Sequence, residues 1–447
     1  MRERIQRLLS GPLPALVQRG LPIVAATLIS RPLGYIRAAI QAWLFGATAA
    51  MDAFVVAFNV PSILQVVLLS GPLSSVLVPT LTAYRHDRRA LNDLFNSLFT
   101  LCCLLGLAIA GGAALAAPLL MRLAGPGLPP DTQSLATLLF RLMLPMLVMQ
   151  ALLSVCKGAL NALDHYGAPE YAGVIFNIVV IGAALLLSPY MGIISLAIGA
   201  SLGGIAQVIM QFPFLAQHGI RYRPSLRLGA LRQMSSLAPG AFLSTIITPL
   251  GAFIDRALAT LLFTGAPSAL HYGFLLFMLP ASLAIVPLST VLLTDLASLY
   301  HQGEIRTLHH RTQYGLRLML LITIPAALLG GLLAAPITRL VYEHGHFQAA
   351  DTLRVAQALR AYLAGLPLYG CVHLITRSFY ALQDTFTPAL VGLGALLINV
   401  IADLVLMQFF SHWGIALART ITLLFSAIML YSLFQRRCGI LRGTRIS

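Results

Sequence analysis

The sequence predicts an all-α integral membrane protein with about twelve transmembrane helices in two pseudo-symmetric six-helix lobes. Of its 447 residues, 58% are hydrophobic and only 10% are charged, whereas a soluble domain carries about 25% charged residues. Apolar stretches long enough to cross a bilayer recur along the chain, and short motifs of the first half reappear in the second. This composition excludes a soluble globular enzyme, a disordered chain and a disulfide scaffold.

Each predicted span is a continuous apolar stretch that ends at a short polar or basic segment, unlike the alternating strands of a membrane barrel. The first six spans are predicted at residues 20–44, 52–82, 92–117, 134–160, 170–188 and 192–215. The second six are predicted at residues 236–262, 269–298, 314–340, 354–380, 387–410 and 413–434. The predicted domains are an N-lobe (1–216), a cytoplasmic linker (217–235) and a C-lobe (236–447).

Lysine and arginine are concentrated in every second connecting segment. The N-terminus contains Arg2, Arg4 and Arg7, the segment 45–51 contains no basic residue, and the alternation continues to the basic C-terminal tail. The positive-inside rule therefore predicts that both termini are cytoplasmic. These loops also explain the net charge of +15. Nucleic acid is not a predicted partner, because no basic cluster is interleaved with aromatic residues.

Motifs of the first half recur in the second at a slowly drifting offset. Residues 72–77 (PLSSVL) recur at 287–292 (PLSTVL), and the pair Ala117-Pro118 recurs as Ala335-Pro336. Six spans per repeat give a parallel repeat, which is a common design of secondary transporters. No GxxxxGK[ST] motif and no catalytic constellation is present, so the chain is predicted not to be an enzyme.

Ionisable residues inside the predicted spans are the candidate functional residues, because a charge in the bilayer is costly. Arg31 and Arg37 lie in the first span, and Ser30, Gly34, Arg37 and Gln41 share one helical face. Arg37 is predicted to line a central cavity and contact an anionic headgroup; the alternative is that its side chain extends to the membrane interface.

Two further pairs complete the candidate substrate-binding set. Asp52 opens the second span, and Asn59 lies seven residues further on, on the same face. Asp52 could pair with an arginine of the first span, carry a proton or cap a helix N-terminus. Asp255 and Arg256 lie deep in the seventh span, where they would line a cavity or form ion pairs.

No metal site or cofactor is predicted. Glu343, His344 and His346 form an E-H-x-H pattern in an outside loop. Three candidate ligands in a flexible loop are a weak indication of a metal site.

Several stretches carry a resemblance to a known family. The most specific are Ser30-Arg31 with residues 33–37 (LGYIR), and residues 377–388 (RSFYALQDTFTP) between spans 10 and 11; residues 342–359 and 254–257 (IDRA) are similar too. These stretches resemble the MurJ/MviN lipid II flippases of the MOP superfamily. The resemblance extends over nearly the whole chain.

The resemblance implies a MOP/MATE-like fold in the bacterial inner membrane that moves lipid II, an undecaprenyl-pyrophosphate-linked peptidoglycan precursor, outward by alternating access. It places Arg31, Arg37 and Asp52 on cavity positions of the family. The expected partners are this lipid-linked precursor, membrane lipid and, for coupling, a monovalent cation or a proton.

The chain also departs from the family pattern. Ala38 stands where an acidic residue is usual, Gln65-Val66 stand where span 2 has an arginine pair, and Leu275 precedes Pro280 where an arginine is usual. The family often has fourteen spans. Three alternatives therefore stay open: transport of another lipid-linked saccharide, small-cation or drug antiport on the same fold, and a non-transporting cell-wall scaffold.

Overall fold

A computed structural model describes the backbone of residues 12–65, 81–82, 84, 87–226 and 239–439, and side chains within 25–64, 81–82, 84, 87–226 and 249–439. The helices of this part of the chain, numbered in order, are α1 Pro12–Phe45, α2 Ala49–Gln65, α3 Arg88–Leu115, α4 Ala117–Ala124, α5 Pro130–Ala162, α6 Gly167–Met191, α7 Ile194–Gln217, α8 Pro239–Ala259, α9 Ala266–Pro280, α10 Val286–His301, α11 Ile305–Leu332, α12 Ala334–Tyr342, α13 Ala349–Ala364, α14 Leu366–Ala381 and α15 Phe386–Arg437.

The helices have the length and apolar surface of membrane spans. Within the described residues, seven helical segments are long and apolar enough to cross a bilayer, and an eighth is formed if the bent pair α13 and α14 is one span. Large apolar side chains face outward, such as Leu115 (85% exposed) and Phe409 (75% exposed). The predicted all-α membrane fold is therefore confirmed. The count of twelve stays a prediction, and residues 66–80 of the second predicted span lie outside the described residues.

Helix α15 contains two predicted spans. A straight helix of its 52 residues would be about 78 Å long, more than twice the bilayer's hydrocarbon thickness of about 30 Å. Its backbone leaves the helical region at Ser411, where φ is 53° and ψ is −140°. The break lies where the sequence predicts the boundary between the spans 387–410 and 413–434.

Prolines mark the irregular positions of two other predicted spans. A π-helical segment, Ala281–Ile285, separates α9 from α10 and precedes Pro287, which has no N–H and whose ring clashes with the carbonyl four residues earlier. The α13 and α14 axes differ by 45°, and Pro367 lies in the first turn of α14. Both predicted spans exist as helix, but one contains a π-helical segment and the other is bent by 45°.

The chain divides into two compact units. The first comprises Met1–Gln41, Val56–Leu123 and Pro130–Thr245; the second comprises Ala42–Val55, Ala124–Pro129 and Ile246–Ser447. The core of the first unit joins α3, α5, α6 and α7 and includes Phe95 and Leu147. The core of the second joins α10, α11, α14 and α15 and includes Phe379 and Phe434. The lobe boundaries at 216 and 235 stay a prediction, and residues 227–235 of the linker lie outside the described part.

The backbone repeats along the chain in the way that the sequence motifs suggest. Positions with positive φ form three pairs that share one offset in residue number: Gly46 and Gly265, Asp164 and Gln383, and Gly192 and Ser411 (265 − 46, 383 − 164 and 411 − 192). Positive φ is uncommon in non-glycine residues, so three pairs at one offset indicate a shared turn geometry. The sequence repeat at 72–77 itself lies outside the described residues.

Candidate functional site

In the first unit, the polar face of α1 contacts α6. The guanidinium carbon of Arg37 lies 5.5 Å from the ring centroid of Phe176, within the range of a cation–π interaction. The side-chain amide of Asn177 donates to the Ser30 carbonyl at 3.2 Å. The Nε atom of Arg37 is buried and has no hydrogen-bond partner among the described residues. Arg37 therefore holds an unused charged donor within an apolar helix bundle.

Two other candidate residues, Arg31 and Asn59, also lie in the first unit. Arg31 is half-buried on α1, and Asn59 on α2 is 5% exposed. The structure thus assigns Arg31, Arg37 and Asn59 to the first unit, and Asp52, Asp255 and Arg256 to the second.

Asp52 caps a helix that is remote in the sequence. Its Oδ2 accepts from the backbone N–H of Gly265 at 2.5 Å, and its Oδ1 accepts from the N–H and the hydroxyl of Ser268 at 3.0 and 2.5 Å. These donors lie at the N-terminus of α9, where backbone N–H groups lack helical partners and the helix dipole favours a negative charge. The described partners of this carboxylate are therefore a helix end, which is the capping alternative, rather than an arginine.

The conformation of Gly265 makes this cap possible. Gly265 has φ of 98°, and a Cβ atom there would lie 2.6 Å from the Ala47 carbonyl oxygen. Only glycine combines this left-handed backbone with such a close approach. The start of α9 and the segment around Asp52 are thus fitted to each other within the second unit.

Asp255 belongs to a buried polar cluster in the second unit. The Asn399 side-chain amide donates to Asp255 at 2.7 Å and to Asp403 at 2.7 Å. The Asn399 carbonyl oxygen accepts from the Thr422 hydroxyl at 3.2 Å, and the Arg419 guanidinium lies 3.5 Å from Asp255. Asp403 is fully buried, and its Oδ1 has no hydrogen-bond partner among the described residues.

A small pocket adjoins this cluster. Its lining includes Asp255, Arg256, Phe274, Tyr362 and Arg419. Two guanidinium groups and two aromatic rings therefore meet beside one carboxylate. Such a wall suits an anionic or hydroxyl-bearing group, because arginine presents several donors in a fixed geometry.

Sequence reasoning placed Asp255 and Arg256 deep in an apolar span, whereas Arg256 lies in the last turn of α8. It missed Arg419 as the partner of Asp255. Arg419 lies in the predicted span 413–434, and a charge within an apolar stretch was the signal that could have found it. Asn399 was not among the predicted site residues. The distances join α8 to two parts of α15, and such pairings are not visible in the local pattern.

The E-H-x-H pattern is engaged in protein contacts. Glu343 accepts from the Thr352 hydroxyl at 2.6 Å and from Arg339 at 3.3 Å. The hydrogen bond from Thr352, followed by the hydrogen bond and the charge of Arg339, lowers the pKa of this carboxyl. Within the part of the chain that the structure describes, no group of three or more His, Cys, Asp or Glu side chains is arranged to hold a metal ion.

Comparisons with known proteins agree with these features. The family described as lipid II flippase MurJ matches residues 41–447. A probable lipid II flippase MurJ of Buchnera aphidicola (subsp. Acyrthosiphon pisum) is 31% identical over 421 residues, which is 92% of this chain and 82% of that protein. The lipid II flippase MurJ of Burkholderia cenocepacia is 29% identical over 435 residues, which is 93% of this chain and 83% of that protein.

Solved structures show the same fold. A lipid II flippase MurJ in an inward closed conformation matches with a TM-score of 0.82 and 26% identity, covering 95% of this chain and 93% of that one. A multidrug MATE-family transporter of the MOP superfamily, facing inward, matches with a TM-score of 0.77 at 16% identity, covering 94% and 99%. The second likeness concerns the fold alone. From the buried charged residues, the repeated turns and the family match together, we conclude that this chain belongs to the lipid II flippase MurJ family.

Proposed function

We propose that this protein moves lipid II across the bacterial cytoplasmic membrane by alternating access, with both termini on the cytoplasmic side. Membership of the lipid II flippase MurJ family supports lipid II as the substrate. The observation within the chain that carries the proposal is the placement of arginines among apolar helices. Arg37 keeps a buried donor without a partner among the described residues, and Arg256 and Arg419 line one pocket.

These arginines suit a pyrophosphate for a physical reason. A guanidinium remains charged at all relevant pH values and donates in a planar fork that matches phosphate oxygens. A buried donor that lacks a protein partner incurs a desolvation cost, which an anionic ligand can offset. Arg37 is proposed to contact the headgroup with the assistance of Arg31 in the first unit, and Arg256 is proposed to offer a donor to the substrate within the second unit.

The test is rescue of bacteria depleted of their own lipid II flippase. The unmodified chain and the control Arg122→Ala, which removes an exposed arginine of α4, are expected to restore growth. Arg37→Ala is expected to lower the transport rate by roughly 10- to 150-fold, the value of one charge-assisted hydrogen bond of about 1.5–3 kcal/mol, and to abolish rescue at equal membrane abundance. No rescue by a correctly inserted parent would contradict the function, whereas rescue by Arg37→Ala would contradict only the role of Arg37.

We further propose that the Asp255–Asn399–Asp403 cluster couples transport to a proton or a monovalent cation. Two carboxylates share one amide at 2.7 Å each, and the remaining oxygen of Asp403 lacks a partner in the described part of the chain. Burial of an unbalanced charge is costly. A bound proton or cation would reduce this cost in one state of the cycle and leave in the other.

Transport by the purified chain in liposomes would measure this coupling. Proton, sodium and potassium gradients are imposed in turn, and one of the three is expected to change the transport rate of the parent. Asp403→Asn is expected to abolish that response, while Asp295→Asn, at a half-exposed ion pair with Arg311, keeps it. A parent rate that is indifferent to all three gradients would exclude coupling at this cluster.

A further inference from the structure

A groove of about 570 Å³ opens on the second unit between α11 and α13. Its walls are the apolar side chains Ile324, Ala327, Leu328 and Leu332, and one charged side chain, Arg360, also lines it. Apolar grooves on the outside of a membrane protein are filled by lipid chains. A single arginine at such a groove favours lipids with an anionic headgroup, whereas the apolar walls do not distinguish between lipids.

Arg360 is anchored at the end of α11. Its Nε donates to the Gly331 carbonyl at 3.2 Å, in the last turn of that helix, where carbonyls lack helical partners. The residue is exposed, and it forms no ion pair with the described residues. The anchored Nε fixes the direction of the guanidinium and leaves its two terminal nitrogens for a ligand.

The first unit contains the same arrangement. Arg141 donates its Nε to the Ala114 carbonyl at 3.2 Å, in the last turn of α3. The offset between the two arginines (360 − 141) equals the offset of the repeated turns (265 − 46). An arginine that donates to the last turn of a helix is thus a feature of both repeats. Arg360 in addition lines the apolar groove.

Arg360 lies beside the end of a long apolar helix. Helix α11 ends at Leu332, and the short helix α12 begins at Ala334. The residue is exposed, and an exposed arginine on the apolar surface of a membrane protein keeps its stem along that surface while its guanidinium extends toward the headgroup region. Lipid phosphates are the anions available there.

We propose that this groove is a binding site for an anionic glycerophospholipid, whose acyl chain lies along α11 and whose phosphate contacts Arg360. A net-negative headgroup is favoured over a zwitterionic one, since the lining contains no carboxylate to receive the headgroup's ammonium. The site is separate from the proposed lipid II pocket and does not depend on transport.

The groove can be filled without disturbing the protein core. A Cβ added at Gly331 would meet no atom within 4 Å, whereas one added at the neighbouring Gly330 would lie 3.0 Å from Leu363. The Gly331 position therefore faces the open groove. A larger side chain there would occupy the space proposed for the acyl chain.

Native mass spectrometry of the purified full chain, with phosphatidylglycerol or phosphatidylcholine of identical chains, tests the proposal. The parent is expected to bind phosphatidylglycerol more tightly. Arg360→Gln is expected to weaken phosphatidylglycerol binding roughly 3- to 10-fold, as for one exposed charged contact, and Arg360→Lys to retain most of it. Arg339→Gln, outside the groove, is the matched control. Gly331→Leu is expected to reduce binding of both lipids.

A photoreactive acyl chain on phosphatidylglycerol locates the binding, and crosslinks are expected in residues 324–332. Equal phosphatidylglycerol binding and equal crosslinking in the parent, Arg360→Gln and Gly331→Leu would overturn the proposal. Preferential crosslinking elsewhere, or equal affinity for both lipids in the parent, would do so as well. Thermal unfolding of each variant in detergent shows whether its fold is retained.

Discussion

At the scale of single residues, Asp52 makes the clearest prediction. It accepts three hydrogen bonds at the N-terminus of α9 and is 1% exposed. Asp52→Ala would leave two buried N–H groups without this acceptor, so we expect a loss of about 1–3 kcal/mol in stability. Asp52→Asn keeps an acceptor but loses the charge, and should lose less. Thermal unfolding in detergent measures both.

Asp87 provides the matched control for this prediction. It caps its own helix, α3, by accepting from Arg89 N and Ala90 N, and it is exposed. Asp87→Ala should cost no more than about 1 kcal/mol, the usual value of an N-cap. An Asp52→Ala variant no less stable than Asp87→Ala would show that the cap on α9 contributes little.

At the residue scale, the sequence identified Asp52 as a candidate for an arginine partner, a proton or a helix cap, but it could not name the partner residue. Capping was one of its three alternatives, yet Gly265, the N-cap residue of the capped helix, lies 213 residues later. The donors are backbone N–H groups, which every helix possesses, so no side-chain pattern marks them. Arg419 and Asp255 illustrate the same limit, since their pairing depends on how α8 packs against α15.

At the scale of elements, the break in α15 predicts a stabilising substitution. Ser411 has φ of 53° and ψ of −140°, and Gly192, its counterpart in the repeat, has φ of 55° and ψ of −134°. This conformation strains residues that carry a Cβ. Ser411→Gly is therefore expected to raise stability by about 1 kcal/mol, seen as a higher unfolding temperature, and Gly192→Ser to lower it. If Ser411→Gly lowered the unfolding temperature, the strain argument would fail.

Sequence reasoning predicted the existence of the elements better than their shape. The predicted boundary near residue 411 is correct, because polar and small residues interrupt the apolar run there. The π-helical segment before Pro287 and the 45° bend at α13–α14 were not predicted. Hydropathy is averaged over a window of residues. It therefore does not show where a proline deprives one backbone carbonyl of its hydrogen-bond donor and makes the helix irregular.

At the scale of the whole molecule, the alternation of basic loops predicts the orientation. Reporter fusions to alkaline phosphatase, active only outside the cytoplasm, and to green fluorescent protein measure it. Fusions after Gly303 and at the C-terminus are expected to fluoresce, and a fusion after Gly345, between α12 and α13, to show phosphatase activity. Phosphatase activity at the C-terminus would reverse the proposed topology.

The repeat is the whole-molecule property that the sequence predicted best. The offset of the motif Ala117-Pro118 (335 − 117) differs by a single position from the offset of the repeated turns (265 − 46). The short motifs and the repeated turns therefore indicate the same repeat. The compact units could not be predicted in the same way, because Ala42–Val55 and Ala124–Pro129 group with residues far along the chain.

The cap at Asp52 also has a consequence for biosynthesis. Gly265 is translated 213 residues after Asp52, which at about 5–20 residues per second takes roughly 10–40 s. During that interval the carboxylate enters the membrane without the helix end that receives it in the finished protein. The segment around Asp52 is thus made well before the helix end that it caps. Until α9 is synthesised, the carboxylate must find its hydrogen-bond donors in water, lipid headgroups or the insertion machinery.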